Sequence, residues 1–290
     1  MRQIYIHADD FGNTLNISRS IYRCFKEGAL NSTSIIVNSA SLEESLRLIE
    51  GKNIRKVLHL NITEGEAIST QQFQYLTDKK RRFFRTWQRL AFEYYTLWGK
   101  KRKAAIKAEI KEEFKSQILL YCEKIGSRSI NIDSHQHFHT IPFICDILIE
   151  LKREMDIEIL NIRVTKEPLF WAVGTIRDLK NYLGINFFVH FLLNFLSNKM
   201  IAKFDKESIV YNEAFIGVLF SGDMTLKAIE KGLQKCKKAK RVEILLHPGY
   251  ISKEEAEHFR DDQFKRWYTD KNRKREMQVL LNKKLQTLGG

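Results

Sequence analysis

The chain has 290 residues, a formal net charge of +14 and 43% hydrophobic residues. This length and composition can bury a large core, either in a single α/β barrel or in two smaller domains. We expect one domain, residues 1–290, because no Pro- or Gly-rich linker divides the chain. The four cysteines are widely separated and show no Cys-x-x-Cys spacing, which argues against a disulfide framework and a thiolate zinc site. We therefore expect a cytoplasmic protein.

Strand and helix patterns alternate along the chain. A strand pattern begins within two residues of Met1, which leaves no room for a secretion signal. Apolar periodicity predicts a βαβαβ series at residues 3–7, 16–27, 34–37, 42–50 and 57–60. Further strands are predicted at 130–132, 159–164 and 242–246, with a helix after Pro142. Strands that alternate with helices predict an α/β fold with a parallel sheet.

Ionisable residues gather where these strands end. Six of the eight histidines lie in four short segments, which are His7-Ala8-Asp9-Asp10-Phe11-Gly12, His59-Leu60-Asn61, Asp133-Ser134-His135-Gln136-His137-Phe138-His139 and His247-Pro248-Gly249. Because barrels and open α/β sheets carry function at the carboxyl ends of their strands, this distribution predicts one site. Asp and neutral His ligands are typical of a divalent metal that activates water against a carbonyl group. A second carboxylate and a further histidine can then transfer protons.

Each segment also has a structural interpretation. Asp9 and Asp10 would suit an N-cap and turn before the helix at 16–27, and His59 could close a buried strand through one hydrogen bond. The sequence Pro248-Gly249 by itself specifies a turn. Residues 133–139 are hardest to explain as structure, because histidines at alternate positions can present their rings to one side while an aspartate orients them.

These motifs, in this order, resemble the YdjC-like carbohydrate deacetylases, the group that includes chitooligosaccharide deacetylase. The resemblance extends over residues 3 to about 250 and includes the string His59-Leu60-Asn61-Ile62-Thr63-Glu64-Gly65. It implies a distorted (β/α) TIM-like barrel with parallel strands, related to the polysaccharide deacetylases of the NodB type. Insertions into that barrel are expected at about 68–115 and 168–208.

The resemblance also implies a role for each motif residue. Asp10, His59 and His135 would be the metal ligands, with Asp9 as general base and His247 as the acid that protonates the leaving amine. The remaining motif residues would contact substrate or hold the ligands in place; they are Arg163, Asp133, His137, His139 and Asn61. The implied reaction is metal-dependent hydrolysis of the N-acetyl group of an amino sugar. Zinc and magnesium are both expected in this family, and the Asp-His-His set favours zinc or another borderline metal on ligand softness.

A basic and aromatic segment departs from a minimal barrel. Residues 79–115 contain thirteen Lys or Arg and four Glu, interleaved with aromatic residues such as Trp87 and Trp98. The segment could be a solvated pair of helices packed on the barrel, or a basic surface with aromatic anchors that binds anionic lipid. It could also serve nucleic acid, which makes a metal-dependent nuclease the alternative function. Sites for phosphoryl chemistry typically hold two metals with many carboxylate ligands, whereas the ligand set expected here has one carboxylate and two histidines, which argues against a nuclease.

A second departure is the Phe- and Leu-rich stretch at residues 182–204. Asn186, His190, Asn194 and Asn198 recur there every four residues, which predicts an amphipathic helix that is a poor membrane span. Such a helix could close the barrel, form a homodimer face or lie at a membrane surface. The two segments together suggest an acetylated sugar carried on a lipid, with the protein at the inner face of the membrane, as an alternative to a free oligosaccharide.

Overall fold

The computed structural model describes residues 2–172, 176–257 and 259–287. Within these residues a sheet of seven parallel strands has the order β5-β4-β3-β2-β1-β7-β6. The strands are β1 (Gln3–Phe11), β2 (Ser32–Ile35), β3 (Arg55–Leu60), β4 (Ser129–Ser134), β5 (Glu158–Ile162), β6 (Ala214–Ile216) and β7 (Arg241–Leu246).

The two edges of this sheet approach one another. Ile162, at the end of β5, forms a parallel bridge with Tyr211, which precedes β6. The backbone N–H of Phe215 in β6 donates to the carbonyl oxygen of Lys166 at 3.0 Å. The sheet is therefore curled into a distorted barrel, and the predicted α/β barrel with parallel strands is confirmed.

Helices flank the curled sheet. Helix α1 (Leu15–Glu27) illustrates why they form where they do. The Thr14 side chain caps its first turn, and Ile17, Ile21 and Cys24 bury one apolar face. The remaining helical elements in the described residues are α2 (Leu42–Ile49), α3 (Trp87–Phe92), a π-helical turn (Glu93–Leu97), α4 (Lys100–Ile125), a 3₁₀ segment (His135–Thr140), α5 (Pro142–Glu154), α6 (Ile176–Leu183), α7 (Ile185–Lys206), α8 (Leu226–Lys235), α9 (Lys253–Ala256), α10 (Asp262–Tyr268), α11 (Asn272–Leu280) and α12 (Lys283–Gln286).

The two predicted insertions fall on different kinds of structure. Residues 68–115 include α3, the π-helical turn and the N-terminal part of α4, and α4 is itself the crossover helix between β3 and β4. A buried face anchors α4 to the barrel, and the Glu113 carboxylate accepts hydrogen bonds from the backbone of Ile68 and Ser69. Residues 168–208 include α6 and α7; within that range, positions 173–175 lie outside the described residues.

Candidate active site

A bulge at the carboxyl end of β1 positions two consecutive carboxylates. The pairing of β1 with β2 shifts register between Ala8 and Phe11, and Asp10 adopts a φ of +74°. A bulge re-aims side chains and strains a non-glycine residue in the left-handed region, which is common at functional sites. Asp9 and Asp10 are consequently both buried at the same strand end. Thr14, and not the aspartate pair, provides the N-cap of α1.

Asp10, His59 and His135 form a cluster that could hold a metal ion. Each offers one ligand atom, and the three atoms lie within 4.8 Å of one another. The Asp10 Oδ1 is 3.1 Å from His135 Nδ1 and 3.8 Å from His59 Nε2. Within the described part of the chain, His59 Nε2 and Asp10 Oδ2 are buried without a hydrogen-bond partner. Two imidazoles, one carboxylate and two unsatisfied buried atoms fit a borderline divalent cation.

Asp133 fixes the orientation of His59. The register of β3 and β4 places these two residues side by side, and Asp133 Oδ1 lies 2.6 Å from His59 Nδ1. A carboxylate on Nδ1 makes this nitrogen the protonated one and leaves Nε2 available toward Asp10. The other Asp133 oxygen accepts from Ser34 Oγ and lies 2.6 Å from Arg163 Nη2.

Arg163 holds the second carboxylate, Asp9, in a bidentate ion pair. Its Nη1 and Nη2 donate to the two Asp9 oxygens at 3.0 and 2.8 Å, and its Nε donates to Glu243 at 2.5 Å. Burial raises the pKa of Asp9, but the adjacent positive charge of Arg163 opposes burial, and the pKa is held well below its ordinary value. Asp9 is therefore ionised at neutral pH and faces the cavity.

A second group of possible ligands lies beside the first. His7, Asp9 and Asp133 also bring one ligand atom each within 4.8 Å. The guanidinium of Arg163 already contacts both of these carboxylates, with Nη2 at 2.8 Å from Asp9 and 2.6 Å from Asp133. A positive charge thus occupies this position, which favours Asp10, His59 and His135 as the cation site.

The three histidines of residues 133–139 do not face one side as an extended segment would. Residues 135–140 form a 3₁₀ segment in which Gln136 and His137 have left-handed φ values of +54° and +56°. His135 points to Asp10, and the His137 ring lies at the cavity wall, nearly perpendicular to the Phe215 ring. The expectation that all three rings share one face was therefore wrong, because the chain turns immediately after β4.

His139 lies beneath the cavity and has both ring nitrogens occupied. Its Nδ1 is 2.6 Å from Ser134 Oγ, and its Nε2 is 2.9 Å from the carbonyl oxygen of Arg163. Burial lowers the pKa of His139 to about 4, so its ring is neutral at pH 7. This histidine supports the backbone that carries Arg163.

Asn61 organises the loop that follows β3. Its Oδ1 accepts from the backbone N–H groups of Thr63 and Glu64 at 3.0 and 3.2 Å, and its Nδ2 donates to Asn38 at 3.1 Å. This is an Asx-type turn in which the side chain replaces backbone hydrogen bonding. The structure places Asn61 in this loop, and it does not line the cavity around Asp9 and Asp10.

His247 lines a cavity of about 360 Å³ that Asp9, Asp10 and His135 also line. The Glu276 carboxylate accepts a hydrogen bond from the His247 backbone N–H at 2.5 Å, and the Trp267 ring is nearly perpendicular to the imidazole, with centroids 5.2 Å apart. Burial raises the pKa of Glu276, but its hydrogen bond and charge interaction with His247 give a net lowering. The imidazole is thus held next to an ionised carboxylate.

The carboxy-terminal helices supply residues that sequence reasoning missed. Arg273 of α11 is fully buried, donates from Nε to the Gly249 carbonyl oxygen at 2.6 Å and places Nη2 3.5 Å from Asp10 Oδ2. Phe264 of α10 stacks on the His135 ring. The one available signal was the pair Arg273 and Glu276, three residues apart on one helical face, but nothing in the sequence marks charged residues as buried.

The fold and the site define a class: a parallel α/β barrel with an Asp-His-His cluster and a second buried carboxylate at the carboxyl ends of its strands. A family model described as YdjC-like protein matches residues 3–288. The chain belongs to the YdjC-like family, which confirms the resemblance drawn from its motifs.

Curated relatives and a solved structure agree with this assignment. The chain is 25% identical over 250 residues to a carbohydrate deacetylase of Brevibacillus brevis, covering 86% of this chain and 82% of the relative. It is 23% identical over 263 residues to a carbohydrate deacetylase of Mus musculus, covering 86% and 79% respectively. The crystal structure of a candidate cellobiose-phosphate cleavage protein from Enterococcus faecalis superposes with a TM-score of 0.67 at 17% identity, covering 99% of this chain and 93% of that one, which supports the fold.

Proposed function

We propose that this protein is a metal-dependent hydrolase that removes the N-acetyl group from an N-acetylated amino sugar and releases acetate. The observation that carries the proposal is the buried Asp10–His59–His135 cluster, with the ionised Asp9 beside it, at one wall of an open cavity. The names of the relatives, carbohydrate deacetylase, support the same reaction and agree with the prediction from sequence.

Asp10, His59 and His135 would hold the divalent cation. When bound, such an ion polarises the acetamide oxygen and lowers the pKa of water. Two imidazole ligands favour zinc or another borderline metal over magnesium, which prefers an all-oxygen set. Asp133 contributes by holding the His59 ring through Nδ1, so that Nε2 faces the site.

Asp9 is the general base in this proposal. It is ionised, lines the cavity and neighbours the ligand Asp10, so it can accept the proton of the attacking water. Arg163 donates hydrogen bonds to both Asp9 oxygens and so fixes the orientation of this carboxylate. The oxygen of water bonds to the acetyl carbon, and the C–N bond of the acetamide then breaks.

His247 is the general acid for the departing amine. It lines the same cavity as Asp9 and Asp10, and Glu276 lies 3.7 Å from its Nδ1. In this role the imidazole would donate a proton to the sugar nitrogen as the C–N bond breaks. The amine leaves with that proton, and acetate keeps both the original carbonyl oxygen and the oxygen that came from water. Four free cysteines fit the reducing cytoplasm that we propose as the site of the reaction.

The test is acetate release from N-acetylglucosamine oligomers by metal-stripped and metal-restored protein, together with metal analysis. Asp10→Asn should lose both the bound metal and at least about 10³-fold in kcat. Asp156→Asn is the matched control, because the Asp156 side chain is 99% exposed and remote from the site. Full activity of stripped protein, or of Asp10→Asn, would refute the metal-dependent mechanism.

A further inference from the structure

Helix α7 exposes large apolar side chains to solvent. Its buried side carries apolar residues such as Leu193 and Met200 together with the polar residues His190 and Ser197. Its outer side is also apolar, since Phe188 is 69% exposed. A surface helix ordinarily turns polar residues outward, and a contiguous exposed apolar surface marks an interaction site. We call this surface the α7 apolar face; it comprises Ile185, Phe188, Phe191, Leu192 and Phe195 of α7, together with Leu183 at the end of α6.

Polar contacts on the buried side of α7 place the apolar face at the rim of the cavity. Asn186 Nδ2 donates to the carbonyl oxygen of Ser221, a residue that lines the cavity, at 3.0 Å. His190 Nδ1 lies 3.0 Å from the Glu167 carboxylate, in the loop that follows β5. The N-terminal half of α7 is therefore fixed to loops at the carboxyl ends of the strands, where the candidate active site lies.

A groove joins the cavity to the helix that precedes α7. Ser221, Trp267 and Asp270 line both the cavity and an adjoining groove of about 330 Å³, which continues to Lys180 and Asn181 of α6. Asn181 Nδ2 is buried and has no hydrogen-bond partner among the residues that the structure describes. The groove thus offers an unused donor, and the exposed Leu183 lies two residues beyond Asn181 at the end of α6.

A second exposed apolar group occupies the same rim. Phe92, Tyr95 and Leu97, from α3 and the π-helical turn, are 51–66% exposed. Tyr94 between them stacks on Phe143 with ring centroids 3.8 Å apart, and Phe143 lies in the first turn of α5, directly after the segment that carries His135. These residues are followed in sequence by a run of four basic residues, 100–103.

The positive charge around both exposed apolar groups indicates what kind of partner would bind them. Lys180 and Lys199 are exposed beside the α7 apolar face, and Lys199 Nζ lies 4.4 Å from the Phe195 ring centroid. Lys100 and Lys101 are exposed beside the second group. A second copy would bring the same positive charge, whereas an anionic lipid surface supplies the opposite one. Among the described helices none is long and apolar enough to cross a bilayer, so the contact would be interfacial.

We propose that the rim of the barrel docks on an anionic membrane surface through the α7 apolar face and that the substrate is an N-acetylated amino sugar attached to a lipid. The sugar would enter the cavity while the groove along Lys180 and Asn181 leads its lipid-linked end to the apolar face. This inference rests on the proposed deacetylase function, whose substrate class it names.

Membrane docking is tested first by sedimentation with vesicles of phosphatidylcholine alone and of phosphatidylcholine with phosphatidylglycerol at about 3:1. We expect binding to the anionic vesicles, weakened at least about tenfold in a variant combining Phe188→Ser with Phe195→Ser. The matched control combines Leu119→Ser with Leu160→Ser, two side chains that are 46% and 42% exposed on other elements. A variant with Lys180→Glu and Lys199→Glu should lose the preference for anionic lipid.

Substrate class is tested with the same variants on two substrates. Acetate release from a soluble N-acetylglucosamine oligomer should be unchanged in the Phe188 and Phe195 variant, while release from a long-chain N-acetylglucosaminyl lipid in vesicles should fall at least about tenfold. No acetate from either substrate would refute the deacetylase itself. Release from the soluble substrate without vesicle binding would overturn only the present inference, as would a dimer in sedimentation velocity that the Phe substitutions dissociate.

Discussion

Arg163 and Asp9 form a buried bidentate ion pair, in which Nη1 donates to Asp9 Oδ2 at 3.0 Å and Nη2 donates to Asp9 Oδ1 at 2.8 Å. The same guanidinium contacts Asp133 and Glu243, so one cation joins the proposed base to the carboxylate that orients His59. Such a fixed planar arrangement is specific to arginine.

Arg163→Lys is expected to lower kcat by about 10²-fold while the protein keeps its metal. A single ammonium group cannot contact both Asp9 oxygens and Asp133 at once. The Asp9 carboxylate would therefore no longer be held in a fixed orientation, while the Asp10–His59–His135 cluster stays unchanged. The measurement is kcat and KM alongside metal content and thermal unfolding. A loss of metal that parallels the loss of kcat would assign Arg163 to the integrity of the barrel instead.

Asp133→Asn is expected to weaken metal binding by about 10- to 100-fold, since a carboxylate behind a ligating histidine orients the ring and raises its basicity. Competition with a chelator of known affinity measures this change directly. Ser129→Ala, on the exposed beginning of the same strand, serves as the control. Unchanged metal affinity in Asp133→Asn would show that the 2.6 Å contact to His59 has no role in holding the ion.

His247→Gln is expected to lower kcat for the acetamide by about 10²- to 10⁴-fold with little change in KM or metal content. An acetate ester with a phenolate leaving group needs no protonation, so its hydrolysis should be affected much less. Comparing the two substrates in the wild type and the variant isolates the acid step. Equal losses on both substrates would contradict the role of His247 as the acid.

Glu64 is expected to make stability fall as pH rises. Burial, with a smaller contribution from Asp261, raises the pKa of Glu64 from 4.5 to about 8. Between these values the unfolded chain ionises while the folded protein keeps its proton, so the free energy of unfolding drops by about 1.4 kcal/mol per pH unit.

The corresponding measurement is urea unfolding at about pH 5.5 and 7.5 for the wild type and for Glu64→Gln. Over this interval the variant should gain about 2 kcal/mol relative to the wild type, because a glutamine has no proton to lose. Comparing the two proteins cancels the titration of the histidines. A difference that is the same at both pH values would show that Glu64 is ionised in the folded protein.

Many of the strands, and a single site at their carboxyl ends, could be predicted from sequence. The histidine-containing segments each follow an apolar run, and parallel strands bring their carboxyl ends to one edge whatever lies between them. The choice of Asp10, His59 and His135 as the ligands came from the resemblance to the YdjC-like family. The contacts of Arg273 and Glu276 could not be predicted. They come from a helix more than twenty residues beyond the last strand, and a charged helical residue gives no local sign that it will be buried.

In helix α7 the sequence determines that a helix forms, and the tertiary structure determines which of its sides is buried. Periodicity alone determined that residues near 182–204 form an amphipathic helix, because the spacing of polar and apolar side chains is a local property. It could not determine which side faces the protein. That depended on partners distant in sequence. Glu167 contacts the buried His190, and the Ser221 carbonyl accepts a hydrogen bond from the half-buried Asn186, so this side faces the barrel and Phe188 is exposed. Buried polar groups require hydrogen bonds, and only the folded barrel supplies them.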